Sequence, residues 1–288
     1  MSSAGPDCDL VIVVPYRNRR RYLDIFVKRV PRYVESQGID NFRICVAEQA
    51  PGDTFNLALS RNVGALYAIH AFRPKYLIFQ DVDVIPIRGV DYRPEPTNLT
   101  WFLSAGSSKV RTDDFITVNG YNPAFLGWGS EDSEFGLRLI SFGRPVAEWK
   151  RRPASADAMI LSLEHLAMSR EAAASLSQSY WGGPPTPQFI THNDPEFGVP
   201  LDHQYDKRVD FHNEERRRKN LRLYEAAWQL PLGLRRNYFA STGLNLVMLD
   251  RLLDVREDGR ISHVAYDPRR VLERNPLSIT EFNERLAG

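Results

Sequence analysis

The chain has 288 residues, 37 basic and 36 acidic, so nothing in its bulk charge favours nucleic acid or a membrane surface as a partner. That length can bury one large α/β domain, or a domain with a substantial extension. Two cysteines, Cys8 and Cys45, argue against a disulfide framework and suit a reducing compartment. No apolar run approaches the roughly 20 residues of a membrane span, and no signal-like apolar segment opens the chain. The expectation is a soluble cytoplasmic protein, at most peripheral to the inner face of the membrane.

In chain order, "LVIVVPY" (Leu10 to Tyr16) reads as a buried strand, and Arg20 onward carries helical apolar spacing up to a stop at Gly38. Phe42 to Gln49 reads as a second strand, Phe55 to Phe72 as a second helix, and "KYLIFQDVDV" (Lys75 to Val84) as a third strand. This β-α-β-α-β order predicts a parallel sheet with helices on both faces, whose ligands gather at the carboxyl ends of the strands. Residues 151 to about 208 are rich in Pro, Gly and polar residues and read as a loop-dominated insertion or lid, interrupted by a helical segment at Leu161 to Leu176. A basic helix follows from Glu214 to Leu230, then a hairpin across Leu244 to Asp267 that turns at "EDG". The organisation is thus an α/β core over 1–150, the insertion over 151–208, and a segment over 209–288 that completes the same domain.

Two stretches carry chemistry. In "FQDVDVIP" an apolar strand ends on Asp81 and Asp83, two positions apart, which in an extended chain would direct both carboxylates to one side. Like charges held together repel unless a cation lies between them, and hard divalent ions favour oxygen ligands. The plainer reading is a turn bearing two solvated aspartates. In "GYNPAFLGWGSEDSEFGLRLISFG" (Gly120 to Gly143), Gly127 and Gly129 flank Trp128, an indole suited to the apolar face of a sugar ring. Glu131 and Asp132 open a helix-like run. They suit a helix N-terminus, or they supply a general base. No Gly-rich dinucleotide fingerprint follows the first strand, which sets aside an NAD enzyme.

"PYRNR", "FNLALSRNVG", "DVDVIP", "FITVNGYNPAFLGWGSED" and "STGLNLVMLD" occur in the order found in the β-1,4-galactosyltransferase family, and "GWGSED" also resembles a motif of bacterial chondroitin-type polymerases. The resemblance covers roughly residues 10 to 145 and 209 to 268. It implies a GT-A (Rossmann-like) nucleotide-sugar transferase fold with a mainly parallel central sheet. The activity it implies is metal-dependent, inverting transfer of a galactose- or N-acetylgalactosamine-type sugar. A UDP-sugar would be the donor, and a hydroxyl of a glycan or glycoconjugate the acceptor.

Residue by residue, the resemblance puts Pro15, Tyr16, Arg17 and Arg19 at the nucleotide diphosphate, where guanidinium forks match phosphate oxygens. Phe55 would meet the uracil. The family's nearby arginine is Leu57 here, and Arg61 is expected to compensate on the donor side. Asp83 would ligate Mn2+ or Mg2+, and Asp81 would contact the ribose or orient the site. Gly106 would let backbone approach the donor, although the preceding family glycine is Ala105. Trp128 and Gly129 would form the acceptor platform, Glu131 would bind a sugar hydroxyl, and Asp132 would be the catalytic base. A further family aspartate is Ser133, so acceptor recognition is expected to differ. His212 is the expected metal histidine, with Asp210 beside it because Val209 cannot ligate; His165 and His192 are the runners-up. Alternatives within the reading are a capsular or chondroitin-like glucuronyl- or hexosaminyltransferase and an inactive sugar-nucleotide-binding subunit.

Overall fold

β1 (Cys8–Tyr16) forms the middle of the sheet because nothing along it needs water. Leu10 to Val14 are completely buried, and alternate residues serve opposite layers. Leu10, Ile12 and Val14 meet α1 (Arg20–Glu35), whose Leu23, Phe26, Val30 and Val34 recur at helical spacing; Val11 and Val13 meet α2 (Leu57–Phe72). The structure, a computed structural model, describes residues 7–88, 90–93, 100–103, 106–127, 129–144, 146–148, 188–191, 213–243 and 253–273.

β2 (Phe42–Gln49) and β3 (Pro74–Gln80) lie parallel to β1 on either side. The remaining strands of the sheet are β5 (Thr100–Leu103), β6 (Ser107–Arg111), β7 (Val146–Glu148), β9 (Leu253–Asp258) and β10 (Ile261–Tyr266), in the order β7-β5-β6-β3-β1-β2-β10-β9. The centre, from β3 to β10, is parallel as expected, whereas β6 runs antiparallel to β3 and β5, and β9 antiparallel to β10. The hairpin expected near Gly259 is β9–β10, and it extends the same sheet as the N-terminal strands. The chain passes from β1 through α1 to β2, then through α2 to the other side of β1. That reversal opens a crevice at the carboxyl ends of β1 and β3.

β4 (Val84–Arg88) leaves the main sheet and pairs with β8 (Gln188–Thr191). Those four residues of β8 are the described part of the expected insertion; the helix expected at Leu161 to Leu176 lies outside the described residues. On the far side, α4 (Glu131–Ser141) packs against α5 (Glu214–Gln229) and α6 (Leu232–Thr242) through Leu137, Ala227, Tyr238 and Phe239. α5 is the expected basic helix, capped by Asn213, whose side chain accepts from the amides of Glu215 and Arg216. Two short helices, α3 (Thr112–Thr117) and α7 (Pro268–Glu273), complete the described elements.

Candidate active site

β3 stops before the two aspartates. Asp81 donates its amide to the carbonyl of Gly106 at 2.9 Å, and Val84 donates to the carbonyl of Asp81 at 3.1 Å, closing a tight turn over Asp81, Val82 and Asp83. The expected extension of the strand through Val84 is therefore corrected, and a turn rather than a pleat sets the direction of each carboxylate. Two polar groups that the sequence reading missed brace this turn from below. Buried Gln80 donates from Nε2 to the carbonyl of Val84 at 2.7 Å and accepts from the hydroxyl of Tyr92. A buried glutamine at a strand end leaves no periodic signal; only its partners reveal its role.

The carboxylates of this turn are met by guanidinium groups. Asp83, its side chain 13% exposed, accepts from Nη1 of Arg19 at 2.9 Å. Asp81 accepts from Nη2 of Arg61 at 3.3 Å. Arg61 sits on α2 and is only 1% exposed. Expected on the donor side, it meets Asp81 and also the carboxylates that open α4: its Nη1 binds Asp132 and lies 4.0 Å from Glu131. Its guanidinium carbon is 5.1 Å from the centre of the Tyr121 ring. Burial works against this charge, but Asp132, Tyr121, Asp81 and Glu131 more than offset it and hold the guanidinium protonated. Burial, with Asp83 and Asp132 nearby, pushes the Asp81 carboxyl up despite Arg61 and Arg19.

Glu131 and Asp132 begin α4, as their helix-forming context suggests. Ser130 and Gly129 just before them hold φ of 69° and 113°, and the amide of Gly129 donates to Oε2 of Glu131 at 3.1 Å. Glu131 is buried, and burial followed by repulsion from Asp132 pushes its carboxyl up to about 7. Asp132 keeps 26% of its side chain exposed. The loop leading to this pair is fixed by α2. Asn62 bonds both the amide and the carbonyl of Tyr121, at 2.8 Å each, and Asn56 donates to the carbonyl of Pro123 at 2.8 Å. "NVG" in an apolar helix was the available signal for Asn62. Trp128 lies outside the described residues.

At the carboxyl end of β1, Pro15 and Tyr16 are buried opposite Ala47 and Glu48. Arg17 donates to the carbonyl of Asp53 at 2.6 Å and lies 5.1 Å from the centre of the Phe55 ring. Two arginines distant in sequence converge on the same loop: Arg269 makes a two-point pair with Asp53, and Arg216 donates to Oγ1 of Thr54 at 2.7 Å. Neither was legible locally, because the contacts span 162 and 216 positions. Leu57 is buried under this loop.

The described residues bring together Asp81, Asp83, Glu131 and Asp132 with Arg19 and Arg61, four carboxylates against two guanidiniums. That acidic excess of hard oxygen donors fits a divalent cation of the magnesium or manganese kind. Among the described residues, no three His, Cys, Asp or Glu side chains form a complete metal site. The expected co-ligands Asp210 and His212, and the runners-up His165 and His192, lie outside the described residues.

Family models described as the N-terminal region of glycosyl transferase group 7 and the N-terminal domain of galactosyltransferase match residues 3–92 and 95–159. Together they span more than half of the chain and every element of the crevice from β1 to α4. The chain belongs to the β-1,4-galactosyltransferase-like family. Human β-1,4-galactosyltransferase 4 is 30% identical over 158 residues, 48% of this chain and 46% of the human protein. Pig β-1,4-galactosyltransferase 5 is 29% identical over 161 residues, 51% of this chain and 41% of its own length. A β-1,4-N-acetylglucosaminyltransferase of Lymnaea stagnalis is 30% identical over 152 residues, 47% of this chain and 31% of that enzyme. The chain thus matches less than half the length of these curated relatives. Two crystal structures of Drosophila β-1,4-galactosyltransferase 7 share the fold. One holds xylobiose, and the other is a substituted form with manganese, UDP-Gal and xylobiose. Their TM-scores are 0.51 and 0.52 at 17% identity, covering 90% of this chain and 93% of theirs. The galactosyltransferase-like chain therefore has the GT-A fold, with its acidic cluster in the crevice at the strand ends.

Proposed function

We propose that this chain is a metal-dependent, inverting transferase that moves a galactose-type sugar from UDP to a hydroxyl of a glycan or glycoconjugate. The observation that carries the reading is the link Asp81–Arg61–Asp132, which joins the acidic turn after β3 to the carboxylate pair that opens α4. The relatives include human β-1,4-galactosyltransferases 4 and 1, and a structural neighbour was solved with manganese and UDP-Gal, which supports the same donor class here.

In this reading Arg17 and Phe55 receive the nucleotide, Arg17 by its guanidinium and Phe55 by its ring. Asp83, with Asp210 and His212, would hold the metal. When bound, that ion offsets the negative charge that builds on the UDP oxygen as the bond to the sugar breaks. Asp132 takes the proton of the acceptor hydroxyl, whose oxygen attacks the sugar carbon from the face opposite UDP. Asp132 rather than Glu131 is the base because its carboxylate keeps 26% exposure, where an acceptor hydroxyl can reach it, while that of Glu131 is buried against the amide of Gly129. Glu131 orients the loop and meets a sugar hydroxyl, and Trp128 with Gly129 forms the platform beneath the acceptor ring. The buried free thiols of Cys8 and Cys45 fit a reducing, cytoplasmic location, and no described helix is long and apolar enough to cross a membrane. The division into a core, a lid over 151–208 and a completing C-terminal segment belongs to the same reading.

The test is a panel of UDP-sugars with manganese, read as UDP release and as product formed on glycan acceptors. Manganese-dependent transfer from UDP-galactose or UDP-N-acetylgalactosamine is the expected result. UDP binding without turnover on any donor would leave the chain a binding subunit.

A further inference from the structure

A buried cation that serves one carboxylate only neutralises it; Arg61 serves two ends of the crevice. Its Nη2 reaches Asp81 in the turn after β3, and its Nη1 reaches Asp132 in the first turn of α4, with Glu131 at 4.0 Å. The plane of the guanidinium is fixed as well. It faces Tyr121, which Asn62 of α2 holds at both backbone groups and which stacks on Phe135 of α4, ring centres 4.0 Å apart and planes 19° apart. Its Nε has no hydrogen-bond partner among the described residues, so this buried group is committed to the carboxylates alone.

We propose that Arg61 is the positioning residue that sets the donor-side carboxylate Asp81 and the acceptor-side carboxylate Asp132 at one fixed separation, so that the base meets the acceptor hydroxyl where the donor sugar is held. This rests on the reading of Asp132 as the base. A planar fork with two separate nitrogens can hold two carboxylates apart; a lysine, a point charge on a flexible stem, cannot. Positioning errors of about 1 Å cost on the order of 100-fold in rate, and they appear in turnover rather than in ground-state binding.

The experiment compares wild type, Arg61→Lys, Asp132→Asn and the double variant, each checked by thermal melting. UDP–manganese affinity, KM and kcat are then measured on every protein. Arg61→Lys should melt cooperatively and lose about tenfold in UDP–manganese affinity through Asp81, with kcat lower by about 100-fold. In the Asp132→Asn background the same change should have little further effect on kcat, because Arg61 acts on turnover through Asp132. An unchanged kcat in Arg61→Lys overturns the proposal, as does an equal further loss in the double variant, which is what a purely structural role gives. Arg61→Gln replaces the lysine variant if that one does not fold. A wild-type protein that binds UDP but transfers nothing overturns the proposed function and this inference with it. Active wild type with unaffected Arg61 variants overturns the inference alone.

Discussion

A Cβ placed on Gly106 would lie 2.2 Å from Oδ2 of Asp81. The same glycine holds φ 76° and gives its carbonyl to the amide of Asp81, so the start of β6 and the end of β3 are in direct backbone contact at the site. Gly106→Ala should therefore displace Asp81 in addition to the roughly 1–2 kcal/mol that a left-handed alanine costs. UDP–manganese affinity, measured by calorimetry, is expected to fall by about tenfold or more in a protein that still melts cooperatively. Wild-type affinity in this variant would mean that Asp81 takes no part in holding the donor.

Asp83→Ala should abolish metal-dependent UDP binding and leave the fold intact, since its pair with Arg19 is partly exposed and contributes little to stability. His212→Ala should weaken manganese affinity strongly, whereas His165→Ala and His192→Ala should not. Titration of manganese at fixed UDP reads all four. Strong loss in His165→Ala would move the metal histidine into the 151–208 segment.

Asp132→Asn keeps the shape of the side chain but cannot accept a proton. The expected result is near-native donor and metal affinity with transfer slower by about 100-fold or more. If the residue served only to favour the N-terminus of α4, stability would drop by about 1 kcal/mol and turnover would survive. Melting temperature and transfer rate from one preparation separate the two.

Glu131 gives stability a pH dependence. Its folded-state carboxyl, raised to about 7 by burial and by Asp132, holds its proton at pH values where the unfolded chain has already lost it. Stability therefore falls as pH rises from the ordinary carboxylate range to about 7. Glu131→Gln, which mimics the protonated form and can still accept from Gly129, should raise the stability of metal-free protein at pH 8 by on the order of 1–3 kcal/mol. The gain should vanish below pH 4.5, the ordinary value for a glutamate. Denaturant midpoints at the two pH values check it, and an equal effect at both would refute the titration.

The helix that carries Glu131 and Asp132 is anchored by a fully buried pair. Arg138 binds Glu134 at 2.7 Å, the carbonyls of Val118 and Phe239 at 3.2 and 3.1 Å, and the hydroxyl of Thr242 at 2.7 Å. Arg138→Met strands the Glu134 carboxylate and should cost about 3–5 kcal/mol; Glu134→Leu added to it should recover part of that loss. Thermal melts of the single and double variants test this.

Composition and periodicity determined much of the architecture without help. The apolar runs of β1, β2 and β3 and the two helices between them fix the parallel centre, because a strand buried on both faces must be apolar along its whole length. The five ordered motifs likewise marked Asp81, Asp83, Glu131 and Asp132, since carboxylates that close an apolar strand or open a helix stand out against their neighbours. The antiparallel strands β5 and β6 and the helix α6 were not read, being short or weakly periodic. What the sequence could not supply was how the marked residues meet. Arg61 read as a donor contact, yet α2 is buried on nearly all sides, and packing turned its guanidinium inward to Asp81, 20 positions away, and Asp132, 71 positions away. The strand predicted through Val84 ended at Gln80 because, past the last cross-strand bond from Asp81 to Gly106, the amide of Val84 turned back onto the carbonyl of Asp81 and buried Gln80 took the carbonyl of Val84. Local pattern reports which face of an element is buried. Which charge a buried charge finds there is decided only when distant elements close on each other and each desolvated group must be paired.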